Sequence, residues 1–175
     1  MKRVIKKLTV KDLPKVILLL SAALHEDFPE YQPRIANAYI QIFNKKYFRT
    51  VLKKKTNILF GIFDQKKLTG FIGLVGNVGG VVFVDWLVVD KDYRKKGIGT
   101  ALLQKAETWA INHKHHHEYL YTENMRYVHF YEGRGFKFVG IQKKSWFGAD
   151  EYLMYKILRN VPFKEVFTKY EKKTL

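Results

Sequence analysis

The chain has 175 residues, 47% of them hydrophobic and 27% charged, which is enough apolar material for one full-sized core and too little length for two ordinary domains. Lysine and arginine outnumber the acids 32 to 16, and the resulting formal charge of +16 favours an anionic partner: nucleic acid, a phosphorylated cofactor or an acidic protein surface. The absence of cysteine excludes disulfides, thiolate zinc sites, iron–sulfur clusters and a thiol nucleophile, and the most apolar early run, Val16 to Leu24, is too short to span a bilayer, so the expectation is a soluble, cytoplasmic protein without membrane contact.

Val4 to Thr9 predicts a short first strand. Thr9 and Asp12 offer capping oxygens, Pro14 suits a first helical turn, and Val16, Leu19, Leu20 and Ala23 recur at helical spacing, which predicts a helix from about Asp12 to Leu24. Pro29 and Pro33 bracket a turn. Ile35 to Lys54 carries Ala38, Ile42, Phe43, Tyr47 and Val51 on one side and lysines on the other, as in a basic helix or helix pair. Ile58 to Phe63 and Leu68 to Val75, joined by the polar turn Asp64 to Lys67, read as an antiparallel hairpin, and Val81 to Val89 as a long central strand.

After that strand come a basic glycine loop and then Ala101, Leu102, Leu103, Ala106, Trp109 and Ala110 at helical spacing. Glu118 to Thr122 is a further strand, Tyr127 to Arg134 a short helix ended by Gly135, and Phe136 to Lys143 with Glu151 to Ile157 a last pair of strands. The expected organisation is one domain over residues 1–158 and a basic extension over 159–175. In that extension Phe163, Val166, Phe167 and Tyr170 fit a docked or frayed helix.

The most informative stretch is Arg94-Lys95-Lys96-Gly97-Ile98-Gly99-Thr100. Glycines let backbone approach a ligand, and the first turn of the following helix presents N–H groups at the positive end of its dipole, where phosphate oxygens fit. A Walker loop needs Gly-Lys-Ser/Thr at its end, and the dinucleotide fingerprint needs a third glycine where this chain has Leu102. The stretch instead resembles the Arg/Gln-x-x-Gly-x-Gly/Ala signature of the GNAT superfamily of acetyl-CoA-dependent N-acyltransferases. A second match follows at Asn124, Phe130-Tyr131-Glu132 and Gly135-Phe136, similar to the family's Asn-x6-Tyr-Glu-x-x-Gly-Phe element. The order of strands and helices from Val4 to Ile157 agrees with the same family.

The resemblance implies a mixed, mostly antiparallel α/β sheet flanked by helices, with a V-shaped split between the strand ending at Val89 and the one beginning near Glu118. It implies acetyl-CoA as acetyl donor and a primary amine as acceptor: a small molecule, a protein N-terminus or a lysine. Backbone groups of Leu87, Val88 and Val89 are expected along the pantetheine arm, Arg94, Lys95, Lys96, Gly97, Ile98, Gly99 and Thr100 around the pyrophosphate, and Asn124 at the pantetheine or the reacting region. A primary amine with a pKa of about 10 must lose a proton before attack. Asp85, nine positions before Arg94, stands where several relatives carry a glutamate base. It removes that proton, through water given its shorter reach, or else orients substrate or pairs with a lysine. A backbone N–H of Val88 or Val89 is expected at the oxyanion, and Tyr131 as the donor to the departing thiolate. Relatives that acetylate ribosomal-protein N-termini often carry a glutamate five positions before the asparagine, where this chain has Tyr119; the nearby Glu118 and Glu123 alternate in facing.

His113, His115, His116 and His117 lack the spacing of a metal motif and read as a solvated loop, so no metal is expected. Most of the aromatic residues fall on expected core faces; Phe28, Tyr31, Tyr39 and Trp146 differ, because the resemblance implies an acceptor groove walled by the first helices and the last hairpin, and Phe28, Tyr31 and Trp146 are expected to line it. Basic runs at Lys2 to Lys7, Lys45 to Lys46, Lys53 to Lys55 and Lys164 to Lys173 motivate a rival from another class, a nucleic-acid-binding module that keeps the fold without the chemistry. A third reading is an acetyl-CoA sensor. A homodimer is consistent with the resemblance, but no sequence feature selects an interface.

Overall fold

In a computed structural model the protein is described over residues 3–27 and 33–162. Seven strands form one mixed, mostly antiparallel sheet in the order β1-β2-β3-β4-β5-β7-β6. Among the described residues the chain divides into two compact units, the first running up to residue 75 and over 85–106, the second over 76–84 and from 107 onward.

In the first unit, β1 (Val4–Lys7) leads into a single 3-10 turn, Val10–Asp12, and then α1 (Leu13–Asp27). Asp12 Oδ2 accepts from the Thr9 N–H and hydroxyl, both at 3.0 Å, so the expected capping pair forms and fixes where the helical backbone starts. The basic region after Pro33 is a helix pair, α2 (Pro33–Ile42) and α3 (Lys45–Lys53). Asn44 makes the break: its Oδ1 accepts from the N–H groups of Lys46 and Tyr47 at 2.8 and 3.2 Å and restarts the helix on a new axis. β2 (Asn57–Asp64) and β3 (Lys67–Gly76) form the predicted hairpin, closed by a turn in which Gln65 takes φ +53. Leu13, Val16, Leu20, Phe48, Leu59 and Phe71 are buried in one cluster, against which Tyr47 and Trp86 pack.

β4 (Val81–Val89) and α4 (Ile98–Asn112) each pass from one unit into the other. Gly70 of β3 is required by close approach: a Cβ there would stand 2.9 Å from Ile98 Cγ2 and 3.0 Å from the Val88 carbonyl oxygen. The first turn of α4 therefore rests directly on strand backbone.

The second unit holds β5 (His117–Thr122), α5 (Met125–Glu132), β6 (Lys137–Gln142) and β7 (Glu151–Ile157). β5 pairs antiparallel with β7 along its whole length, but parallel with β4 only from Val81 to Phe83. α5 starts and ends two residues earlier than the periodicity predicts, because Asn124 caps it, Oδ1 accepting from the Arg126 N–H at 3.0 Å. The histidine cluster is not a solvated loop throughout. His115 is buried, its N–H donating to the Ala110 carbonyl at 2.9 Å and its ring 5.9 Å from that of Trp109, while His117 enters β5 and stacks on Tyr155 at 5.4 Å.

Among the described residues no three metal-ligating side chains are grouped to hold an ion, and no helix is long and apolar enough to cross a membrane. The expected C-terminal helix beyond Pro162 lies outside the described residues, as do Phe28 and Tyr31.

Candidate active site

The loop between β4 and α4 is pinned at several points. The Asp90 N–H donates to the Thr69 carbonyl at 3.0 Å, its Oδ1 accepts from the Asp92 N–H at 3.0 Å, and its Oδ2 pairs with Lys67 at 2.9 Å. Arg94 Nε donates to the Val89 carbonyl at 3.1 Å, Lys96 Nζ to the Asp92 carbonyl at 2.7 Å, and Arg3 to the Lys96 carbonyl at 3.2 Å. Lys67 and Lys96 lie over the Tyr93 ring at 5.0 and 5.2 Å. Lys95 and Gly97 are both left-handed, at φ +57 and +78, and turn the chain into α4, whose first backbone bond runs from Ala101 N–H to the Gly97 carbonyl at 3.0 Å. A Cβ on Gly97 would meet nothing within 4 Å, so one face of the loop is open. No acid stands in the first turn of α4, and its dipole there favours an anion. The structure thus brings Arg94 to Thr100 together as one basic, N–H-rich turn, with Leu87, Val88 and Val89 at the end of the strand that feeds it.

Asp85 lies half-buried on β4 in the same unit, with Gly73 of β3 beside it; a Cβ on Gly73 would be 3.9 Å from Asp85 Oδ2. The hydroxyl of Tyr47 on α3 donates to Asp85 Oδ2 at 2.8 Å. Burial raises the Asp85 carboxyl from the ordinary 3.8 to about 6, against the pull of that hydrogen bond, which favours the charged form. Burial and the Asp85 charge push the Tyr47 phenol up in turn. Tyr47 is held edge-on to Phe43 at 4.9 Å and to Phe48 at 5.3 Å, and Phe43 packs edge-on to Trp86 at 4.8 Å. From the sequence Tyr47 reads only as one apolar-face residue of a helix; nothing local signals its contact with a carboxylate 38 positions away.

In the second unit Tyr131 is buried on α5, edge-on to Phe130 at 5.1 Å and packed on Phe136 at 5.3 Å. Burial, then the charges of Tyr127 and Glu118, push its phenol far above the ordinary value, with Arg134 opposing, so it is a neutral O–H at physiological pH. Asn124 sits at the head of the same helix with its side-chain oxygen engaged in the cap. Glu118 is buried on β5 and Glu123 half-buried beyond it; Tyr119 ring-packs on Phe83 at 5.1 Å. Trp146 is 46% exposed near the β6–β7 connection.

The profile of the acetyltransferase (GNAT) family matches residues 18–136. Streptothricin acetyltransferase A of Bacillus subtilis is 34% identical over 77 residues, 39% of this chain and 44% of that relative, so the likeness spans less than half the length of the curated protein. The crystal structure of the PaiA N-acetyltransferase from Thermoplasma acidophilum, in complex with coenzyme A, superposes with a TM-score of 0.81 at 23% identity, over 90% of this chain and 99% of that one. An aminoglycoside 6′-acetyltransferase structure gives 0.68 at 24% identity, over 91% and 99%. At these identities the two structures show the shared fold.

Proposed function

The chain belongs to the acetyltransferase (GNAT) family, and on that premise we propose that it transfers an acetyl group from acetyl-CoA to a primary amine. The observation that carries the reading is the open, basic turn at the start of α4, where left-handed Lys95 and Gly97 precede the helix N-terminus. Such a turn suits a pyrophosphate: its N–H groups and positive dipole need no rearrangement to receive it. The open face at Gly97 leaves room for the ligand to approach.

Bound acetyl-CoA supplies an activated acyl carbon. Lys95 to Thr100 hold its phosphates, with Arg94 bracing the turn against the Val89 carbonyl. By the family's pattern, backbone groups of Leu87, Val88 and Val89 would hold the pantetheine arm, an N–H of Val88 or Val89 would stabilise the oxyanion, and Asn124 would meet the pantetheine or the reacting region. Asp85 accepts the proton of the incoming ammonium, directly or through one water. A carboxyl near 6 is largely ionised at neutral pH yet basic enough for this work, a better match than an ordinary aspartate. Tyr131, kept a neutral O–H by burial, would protonate the sulfur as the C–N bond forms and the C–S bond breaks; the second proton shed by the new amide nitrogen restores the phenol, and the one taken by Asp85 passes to solvent.

An amine on a small molecule is the favoured acceptor class, supported by the 34% identity to a streptothricin acetyltransferase over 77 residues. The test is release of free CoA thiol from acetyl-CoA in the presence of streptothricin, an aminoglycoside or a lysine-containing peptide, with Tyr131→Phe as control. The chain has no cysteine to add background. Acceptor-dependent release that falls in the variant supports the reading. Acetyl-CoA binding without release from any amine would replace it with a sensing function.

A further inference from the structure

Tyr131 has a proton to deliver in this reading, and its buried neighbour Glu118 has no part in it. Glu118 is fully buried, and neither of its carboxylate oxygens has a hydrogen-bond donor. A carboxylate buried without donors is costly, so such a group regains its hydrogen bonding by keeping its proton. Once protonated, Glu118 has an acceptor in Glu107, on the second half of α4, whose Oε1 holds Lys156 Nζ at 2.7 Å. Lys156 stands opposite Glu118 in the β5–β7 register, and its ammonium lies 5.7 Å from the centre of the Phe136 ring, which packs on Tyr131. Glu118 is thus faced by Glu107 from α4, Lys156 from β7 and Tyr131 from α5, while its β4 partner, Val82, is apolar.

We propose that Glu118 is a positioning residue for Tyr131: as a neutral acid donating to Glu107 it leaves the phenol able to give up its proton, and as an anion it holds that proton back. The proposal rests on the reading of Tyr131 as proton donor. Only O–H bonds change; the proton that Glu118 loses goes to solvent and returns from it. Burial and the Glu107 charge push Glu118 up to about 8, with Lys156 opposing, so the exchange falls within the working pH range. The Glu118 charge in turn raises the Tyr131 phenol, because a phenolate is harder to form beside an anion.

The experiment follows kcat from pH 6 to 10 at saturating acetyl-CoA, with whichever of streptothricin, aminoglycoside or lysine peptide turns over, for the wild type, Glu118→Gln and Glu107→Gln. In parallel, side-chain carboxyl resonances are titrated on glutamate-labelled protein without substrate. One carboxyl should titrate far later than the rest and be missing from Glu118→Gln. Wild-type kcat should fall through that titration, and Glu118→Gln should carry its plateau about one pH unit or more higher. Glu107→Gln removes the charge that holds the proton on Glu118, so its fall should begin about one unit lower. Opposite shifts in two neighbouring variants are not what packing damage produces, and Glu107→Gln decides alone if Glu118→Gln fails to fold. Coincident profiles, shifts of the same sign, or no late-titrating carboxyl would overturn the proposal while leaving the transferase reading intact. Absence of turnover from every amine overturns the transferase reading and this proposal with it.

Discussion

Replacing Tyr47 with phenylalanine deletes one oxygen and keeps the ring that packs on Phe43 and Phe48. The lost contact is the 2.8 Å hydrogen bond to Asp85 Oδ2, made to the charged form of the acid. Hydrogen bonds to charged groups contribute about 1.5–3 kcal/mol, which is about one to two pKa units. Without it the Asp85 carboxyl, already raised to about 6, should move to about 7–8. At pH 7 the ionised share then drops from about nine-tenths to between about a half and a tenth, so kcat/KM for the acceptor falls roughly two- to ninefold. The loss is repaired by raising pH, since at pH 9 both proteins hold Asp85 as the anion. Initial rates of thiol release at low acceptor concentration between pH 5 and 9.5 give the ratio of variant to wild type. The acceptor's own protonation cancels in that ratio. A ratio that stays flat across the range would refute the reasoning, because Tyr47 would then act on something other than the proton of Asp85.

Asp85→Asn should separate activity from stability. The folded protein keeps the Asp85 proton between pH 3.8 and about 6 where the unfolded chain releases it, so this group's stability is present below 3.8 and lost as pH rises through 6. At pH 7 the amide removes that penalty, and melting should show a gain of about 1–3 kcal/mol while kcat falls about 10²- to 10⁴-fold. Gly97→Ala places a side chain at φ +78 where nothing within 4 Å obstructs it, so the cost is torsional, about 1–2 kcal/mol in thermal unfolding. The same methyl stands on the open face of the loop, and calorimetric affinity for acetyl-CoA should fall on the order of tenfold, about 1.4 kcal/mol. Asn124→Ala removes the α5 cap at about 1 kcal/mol, a drop of about 2–4 °C in Tm that Asn124→Asp should avoid.

Where periodicity and punctuation are local, the sequence is a reliable guide: β4 and β7 run over the expected residues, and the Thr9–Asp12 pair caps where its spacing says. The two-residue displacement of α5 has a local cause too, since Asn124 is an N-cap residue type, but the family element draws attention to it as a ligand contact first. The glycine loop is legible as a candidate phosphate site because the proposed role is carried by backbone, and glycine at fixed spacing is a direct statement about backbone. What stays hidden depends on who meets whom. Tyr47 looks like any half-buried ring until α3 brings it to Asp85. Alternation in the sequence has Glu118 and Glu123 facing differently, but does not tell that a glutamate on β5 takes the interior side without a donor. His115 likewise looks like part of a soluble tract, and only the return of the chain beneath Trp109 buries it.

The bare backbone at Gly70 bears on the loop in another way. A helix separated from its sheet by interlocking side chains can rock as those side chains change rotamer. At the first turn of α4 the side chains of Ile98 and Leu102 stand directly over Gly70, where any added atom would collide, so the sheet adds no side chain of its own to that contact. That close approach couples the start of α4 to strand β3, and if the turn from Lys95 to Gly99 receives phosphate as proposed, a turn braced in this way gives up less ordering entropy on binding than a floppy loop. The steadiness of that turn is thus set by a glycine in a hairpin far upstream, outside any motif that identifies the loop.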